Sequence, residues 1–349
     1  MSSYLKNAWY IAAWSPDVGR DLLRRVIMDE AILFYRKEDG TPVAMSNRCA
    51  HRFAPLHLGK LVGDTVACPY HGLHYESSGA CVFNPNGNQH IPPARLRTYP
   101  LAERDGVVWI WPGDPEQADP SLLPDLGYLE NPTRYAPVTG YQQVRANYRY
   151  IIDNLLDNAH LSTVHKNTLG CESFLRGTAR LMPLQGDMIW IDIDCPPGPP
   201  GPIWTQIWQA ERGSAPPDMD HWVEIGWKAG ATIMQETGIT PAGQPREKGI
   251  ATLNCHLLTP ETEQTTHYFW GIARPFQLNN PVLDEQMKIG ATYAFSKEDE
   301  PMLAAIQLES GDRDFWGMKP ALIGEDLGLT RVRRRMDELL KVEHSAGAT

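Results

Sequence analysis

The chain has 349 residues, 42% hydrophobic and 21% charged, with a formal net charge of −10; that length buries a sizeable core in one large or two ordinary domains, and the acidic balance excludes a nucleic-acid binder. No run reaches the ~18 apolar residues of a membrane span, and Met1-Ser2-Ser3-Tyr4-Leu5-Lys6 lacks a signal-peptide pattern, so a cytoplasmic protein with no membrane contact is expected. Six cysteines in a reducing compartment point to metal rather than disulfides, and eleven tryptophans suit an apolar pocket, although most are expected to pack in the core.

From Asn7 to about Gly113, short apolar runs alternate with Gly, Pro and Asp, which predicts strands and turns, for example over 31–35, 61–66 and 107–111. The Pro- and Asp-rich stretch 112–125 reads as a boundary, giving an all-β domain over 1–118 and a larger α+β domain over 119–349. Within the second domain the pattern predicts a helix over 151–161. A largely extended region over 180–276 follows, interrupted by a loop at 195–202, and helices occupy 284–341. The basic run Arg331, Arg333, Arg334 and Arg335 has acidic neighbours and is expected to form a solvated helix face.

The clearest chemical signal is Cys49-Ala50-His51, sixteen residues, then Cys68-Pro69-Tyr70-His71. Two thiolates and two imidazoles hold either zinc or an asymmetric [2Fe–2S] cluster. Common zinc fingers keep both cysteines in one turn and both histidines in another. Here each loop carries one of each, at the spacing of a Rieske centre. Cys81 falls outside the pattern and reads as structural; His57, His74 and His90 read as surface or satisfied core histidines.

A second signal runs from Asp153 to His165. On a regular helix, Asp153, Asp157 and His160 share a face about 60° wide, so Asp157 and His160 can touch. A carboxylate touching a metal-bound imidazole is a common supporting arrangement. His165 would lie about 140° round from His160, so both reach one ion only if the helix breaks, and a break is expected at 162–164. Two histidines and a carboxylate make the facial triad of non-haem Fe(II) oxygenases. Spacing leaves the carboxylate open among Glu298, Asp299 and Glu300, just before Pro301.

Nearly the whole chain resembles the Rieske non-haem iron oxygenases, nearest the vanillate and dicamba O-demethylase oxygenases, with the toluenesulfonate methyl-monooxygenases beside them. The matching text is Cys49-Ala50-His51-Arg52, Cys68-Pro69-Tyr70-His71-Gly72, Trp109-Ile110-Trp111-Pro112-Gly113-Asp114, the Asp153–Asp157 run with His160 and His165, and Thr259-Pro260-Glu261-Thr262-Glu263. The resemblance implies an N-terminal Rieske domain and a catalytic domain with a large antiparallel sheet flanked by helices. It implies cluster ligands Cys49, His51, Cys68 and His71, and mononuclear Fe(II) ligands His160, His165 and Asp299. It makes Asp157 the bridge to a cluster histidine of a neighbouring subunit in a homotrimer, with Asn154 beside that route. His256 and Lys228 are the implied substrate contacts; the lysine departs from the family and suits a carboxylate or sulfonate.

No flavin or nicotinamide motif is evident, so a separate ferredoxin or flavin reductase is expected to supply electrons for O2 activation. The expected reaction is oxidative O-demethylation of a small anionic methoxyarene with release of formaldehyde. Methyl hydroxylation of an arylsulfonate or aryl acid, and cis-dihydroxylation of an aromatic carboxylate, are the alternatives within the enzyme class. A Rieske electron carrier without catalytic iron, and a zinc-stabilised binding domain, are the alternatives outside it.

Overall fold

Short strands need many turns, and the first 123 residues show the consequence in a computed structural model that describes residues 4–86, 93–184 and 186–346. Residues 4–123, with 259–262, cluster as one unit; 124–258 and 263–346 form the second. His90 lies outside the described residues.

The first unit is all β. Strands β1 (Tyr10–Trp14), β2 (Leu23–Ile27), β3 (Glu30–Arg36), β4 (Pro42–Ser46), β5 (Lys60–Val62), β6 (Thr65–Ala67), β7 (His74–Tyr75), β8 (Cys81–Phe83), β9 (Leu101–Arg104) and β10 (Val107–Ile110) build three sheets. Their orders are β1-β10-β9, β2-β3-β4 and β5-β6-β7-β8. The stretch 61–66, expected as one strand, is a hairpin, because Gly63 adopts a left-handed φ of 55° and turns the chain between β5 and β6. Leu33, Tyr35, Met45, Leu56, Val66 and Tyr75 pack into one core with Cys49 and Cys68.

The second unit has the expected α+β character. Strands β11 (Ala136–Val144), β12 (Thr178–Leu181), β13 (Ile189–Gly198), β14 (Met219–Lys228), β15 (Thr232–Pro241), β16 (Ile250–Thr262) and β17 (Thr265–Arg274) form a seven-stranded sheet ordered β11-β17-β16-β15-β14-β13-β12. Helices α1 (Tyr148–Leu156), α2 (Pro202–Arg212), α3 (Pro281–Tyr293), α4 (Glu300–Ser310) and α5 (Leu327–Ala346) accompany it. Among the described residues no helix is long and apolar enough to cross a membrane.

Two expectations change here. The expected loop at 195–202 is strand β13 as far as Gly198, and helix α2 then interrupts the region expected to be extended. Pro202 opens α2, where its missing N–H costs nothing, and Trp204, Ile207 and Trp208 recur on one buried face.

The basic run of α5 is not wholly solvated either. Arg333 is buried, and its Nε donates to both carboxylate oxygens of Asp153 on α1 at 2.9 Å. Its guanidinium also lies 3.8 Å from the ring centre of Phe315. Burial pushes the Asp153 carboxyl up, with Arg333 opposing it. Asp153 is therefore committed to α5 and does not join His160. Arg333→Met leaves a buried charge unpaired and is expected to cost about 3–5 kcal/mol, read from urea midpoints. The double variant Asp153→Leu/Arg333→Met should recover most of that loss.

Candidate metal centres and cavity

The two Cys–His loops are built alike. Cys49 N–H donates to the Ala54 carbonyl at 3.0 Å, and Phe53 N–H to the Cys49 carbonyl at 3.0 Å. In the other loop, Cys68 N–H donates to Leu73 at 2.8 Å, and Gly72 N–H to Cys68 at 3.1 Å. The fourth residue after each cysteine, Phe53 or Gly72, has a left-handed φ of 60° or 71°. Gly72 is doubly constrained, since a Cβ there would meet the Pro85 ring at 2.8 Å.

This geometry buries the Cys49 and Cys68 sulfurs in the core and leaves His51 exposed and His71 half-buried, with ring centres 4.5 Å apart. Two thiols inside and two imidazoles outside fit a cluster whose two irons take different ligands. Tyr75, which sequence reasoning missed, brings its hydroxyl 3.2 Å from Cys49 Sγ. A hydrogen bond to a ligating sulfur tunes the cluster potential. Cys81 Sγ is directed to the Phe83 carbonyl, while the Nδ1 atoms of His57 and His74 meet Asn47 and Thr65.

In the second unit, α1 stops at Leu156, earlier than expected. Asp157 turns extended, with φ −105° and ψ 123°, and its Oδ1 accepts the Ala159 N–H at 2.7 Å. That local side-chain bond competes with helix continuation and starts the short 3-10 turn Ala159–Ser162 that carries His160. The helix breaks before His160, and the 3-10 turn itself then ends at Ser162, within the stretch 162–164 where a break was expected; His160 and His165 reach one point.

The carboxylates arrive from the other side. Between α3 and α4 the chain widens into a π-helical turn, Ala294–Asp299. Pro301, in the first turn of α4, has no N–H to give to residue 297. Adjacent carboxylates then bracket one imidazole: Glu298 Oε2 lies 2.7 Å from His165 Nδ1, and Asp299 Oδ1 lies 2.9 Å from its Nε2. Thr168 also donates to Glu298 at 2.7 Å. His160 repeats the scheme, with Asp157 Oδ2 at 3.4 Å from Nδ1 and Asp299 Oδ1 at 3.7 Å from Nε2. Asn154 Nδ2 donates to the same Asp299 oxygen at 3.3 Å. Glu300 turns away and pairs with Arg145 at 2.7 Å.

One ligand atom each from His160, His165 and Asp299 therefore falls within 4.8 Å of the others. Burial disfavours the charged form of His165, but Asp299 and Glu298 outweigh it and raise its pKa. A site this attractive to a proton also fits a divalent cation, with a carboxylate beside each Nδ1 and both Nε2 atoms turned towards the Asp299 oxygen that would share the metal.

These groups stand at one end of a cavity of about 920 Å³, open mouth included. Strand alternation decides the wall facing them. Val223 on β14, Gln235 and Thr237 on β15, and Thr252, Asn254 and His256 on β16 all point inward. Continuous antiparallel pairing aligns Gln235 with Asn254, and Thr237 with both Val223 and Thr252. Helix α2 closes another side with Trp204 and Ile207; of the eleven tryptophans, Trp204 alone lines this cavity.

His256 is in the cavity as expected, its Nδ1 2.7 Å from the Tyr268 hydroxyl. Burial pushes its imidazole down to about 4, against the pull of Asp299, so it is neutral. Lys228 is not among the lining residues. It lies five positions from Val223 along an unbroken strand, hence on the other face, where its ammonium pairs with Asp187.

Residues 144–342 match the model of the vanillate O-demethylase oxygenase C-terminal domain, and residues 8–100 match the Rieske [2Fe-2S] domain. The chain belongs to the Rieske non-haem iron oxygenases. It is 35% identical to the oxygenase component of chloroacetanilide N-alkylformylase from Rhizorhabdus wittichii, over 97% of both chains. It is also 35% identical to the oxygenase component of dicamba O-demethylase from Stenotrophomonas maltophilia, over 98% of this chain and 99% of that one. The crystal structure of dicamba monooxygenase bound to dicamba superposes with a TM-score of 0.89 at 34% identity, covering 98% and 99% of the two chains. Another structure of that enzyme, with non-haem iron and dicamba, gives 0.82 at 33% identity, covering 99% of each chain. A Rieske cluster and a mononuclear iron are thus the cofactors of this enzyme.

Glu298 holds His165 without offering an oxygen to the metal point. Glu298→Ala is expected to weaken iron retention about 10–100-fold, measured as mononuclear iron remaining after dialysis against a graded chelator series. Glu300→Ala should leave retention unchanged.

Proposed function

We propose that the protein is the oxygenase component of a multicomponent Rieske monooxygenase that demethylates the ether oxygen of a small aromatic substrate. The observation that carries this reading is the convergence of His160 Nε2, His165 Nε2 and Asp299 Oδ1 on one end of a largely apolar cavity. The same chain also presents two matched Cys–His loops. The dicamba and vanillate enzymes are O-demethylases by name, and both the whole-chain likeness and the family match support the same reaction class here.

In this reading Cys49, His51, Cys68 and His71 hold the cluster, while His160, His165 and Asp299 hold the iron. Iron bound there activates O2 to hydroxylate the substrate's methyl carbon. The resulting hemiacetal collapses to a phenol and formaldehyde, so one ArOCH3, one O2, two electrons and two protons give ArOH, HCHO and H2O. Electrons come from a separate reductase.

The residues' work is positioning. The apolar lining of α2 and the sheet holds the ring and excludes water; Glu298 and Asp157 fix the two imidazoles. Asp157 is partly exposed, with 28% of its side chain accessible, and touches His160. It is therefore suited to accept a hydrogen bond from a cluster histidine of a neighbouring copy, joining the two metal sites in a homotrimer. The resemblance to the family supports that assembly.

A product screen tests the reaction. Iron-replete protein with a surrogate reductase would be given methoxyarenes and methylarenes, each as acid and amide. Formaldehyde equimolar with a phenol is expected. A benzyl alcohol or dihydrodiol without formaldehyde would replace demethylation by methyl hydroxylation or dihydroxylation. Asp157→Asn is expected to keep both metals and lower turnover by at least about tenfold, read as formaldehyde per iron.

A further inference from the structure

Resting on the iron site of that reading, we propose that Thr168 is a positioning residue for the iron ligand His165: its hydroxyl sets the carboxylate of Glu298, and its backbone seats that arrangement on helix α2.

The first support is the hydroxyl. Glu298 Oε2 lies 2.7 Å from His165 Nδ1 and accepts the Thr168 hydroxyl at 2.7 Å, so one oxygen serves both groups. The terminal torsion of a glutamate is broad and roughly two-fold, so a single bond to an imidazole leaves the carboxylate free to roll. A second donor on the same oxygen removes that freedom. The Glu298 side chain is 12% exposed, which leaves little access for water to stand in for Thr168. The imidazole edge that Glu298 fixes is the one turned away from Asp299. Thr168 thus acts on the ring orientation without touching the metal point.

The second support is the backbone, because a hydroxyl sets a carboxylate only if it is itself fixed. Thr168 N–H donates to the His165 carbonyl at 2.9 Å, and the Thr168 carbonyl accepts the Ile203 N–H at 3.3 Å. Ile203 is in the first turn of α2, where N–H groups have no partner within the helix, so the 168–170 segment supplies one. The approach is close: a Cβ on Gly201 would meet the carbonyl oxygens of Leu169 and Gly170 at 2.8 and 3.0 Å. Leu169 lines the cavity, as do Ile203, Trp204 and Ile207 of α2. One residue therefore joins the apolar cover of the cavity to the support of an iron ligand.

The test reads mononuclear iron remaining in the holoenzyme after dialysis against a graded chelator series. Thr168→Val keeps the side-chain shape and the carbonyl but loses the donor, and it is expected to retain iron about fivefold less well than the wild type. Thr168→Ser restores the donor and should match the wild type. In a Glu298→Ala background, Thr168→Val should add no further loss, because the hydroxyl no longer has a carboxylate to set. Gly201→Ala touches no ligand; it should weaken retention in the wild type by displacing the 168–170 segment, and add nothing in Thr168→Val. The cluster's visible spectrum checks that each variant is folded. Wild-type retention in Thr168→Val, an equal loss in Thr168→Ser, or additive losses in either pair overturns the proposal. His165→Ala is the reference. If it loses its iron while Thr168→Val does not, this inference fails alone; if it keeps its iron, the ligand assignment fails and takes this inference with it.

Discussion

One imidazole held at both nitrogens organises the catalytic end of this molecule. His165 is 1% exposed and lies between Glu298 and Asp299, consecutive residues that would diverge by about 100° on a regular helix. The π-helical turn that carries them brings one carboxylate to each edge of the ring. Wider turns of this kind are uncommon and concentrate at functional sites. Here the reason is geometric: one oxygen is needed at the metal point and another behind the ligand, from a single stretch of chain. Asp157 does the same for His160 from a broken helix. Both irregularities set a side chain where an unbroken helix would misplace it.

The Rieske-type loops were the most legible part of the sequence because their geometry is local. Cys49 and His51, like Cys68 and His71, are near neighbours, and the backbone bonds that shape each loop span five residues or fewer. The histidine pair was legible in identity but not in setting, since helix termination depended on a bond from Asp157 to its own downstream backbone. Spacing could not choose among Glu298, Asp299 and Glu300, because a π turn changes which residue faces inward. Gln235 and Asn254 escaped notice altogether. Nothing about either marks it in isolation, and they meet only through the pairing of β15 and β16. Lys228 was misplaced for the converse reason: residue type suggested a role that strand parity denies it. Helix α2 was hidden by the prolines and glycines before it, although Trp204, Ile207 and Trp208 carried its period.

The cavity joins two chemically different ends. At one, carboxylates and imidazoles converge on a point that attracts positive charge. At the other, the sheet offers neutral polar groups in rows, with Trp204 and Ile207 of α2 as apolar cover. A substrate bound across both ends is oriented by the sheet and oxidised at the metal, so recognition and reaction use separate groups.

That wall also bears on how such an enzyme can change over generations. Its contacts are alternate residues of paired strands, whose backbones are fixed by neighbours on both sides. An insertion within β15 or β16 would shift register and turn every later side chain to the wrong face. A point substitution at 235, 237, 252 or 254 changes one patch of wall and leaves the others in place. New substrates are therefore reached by exchanging single side chains on a fixed lattice, while the metal-holding helices, on separate stretches of chain, stay as they are.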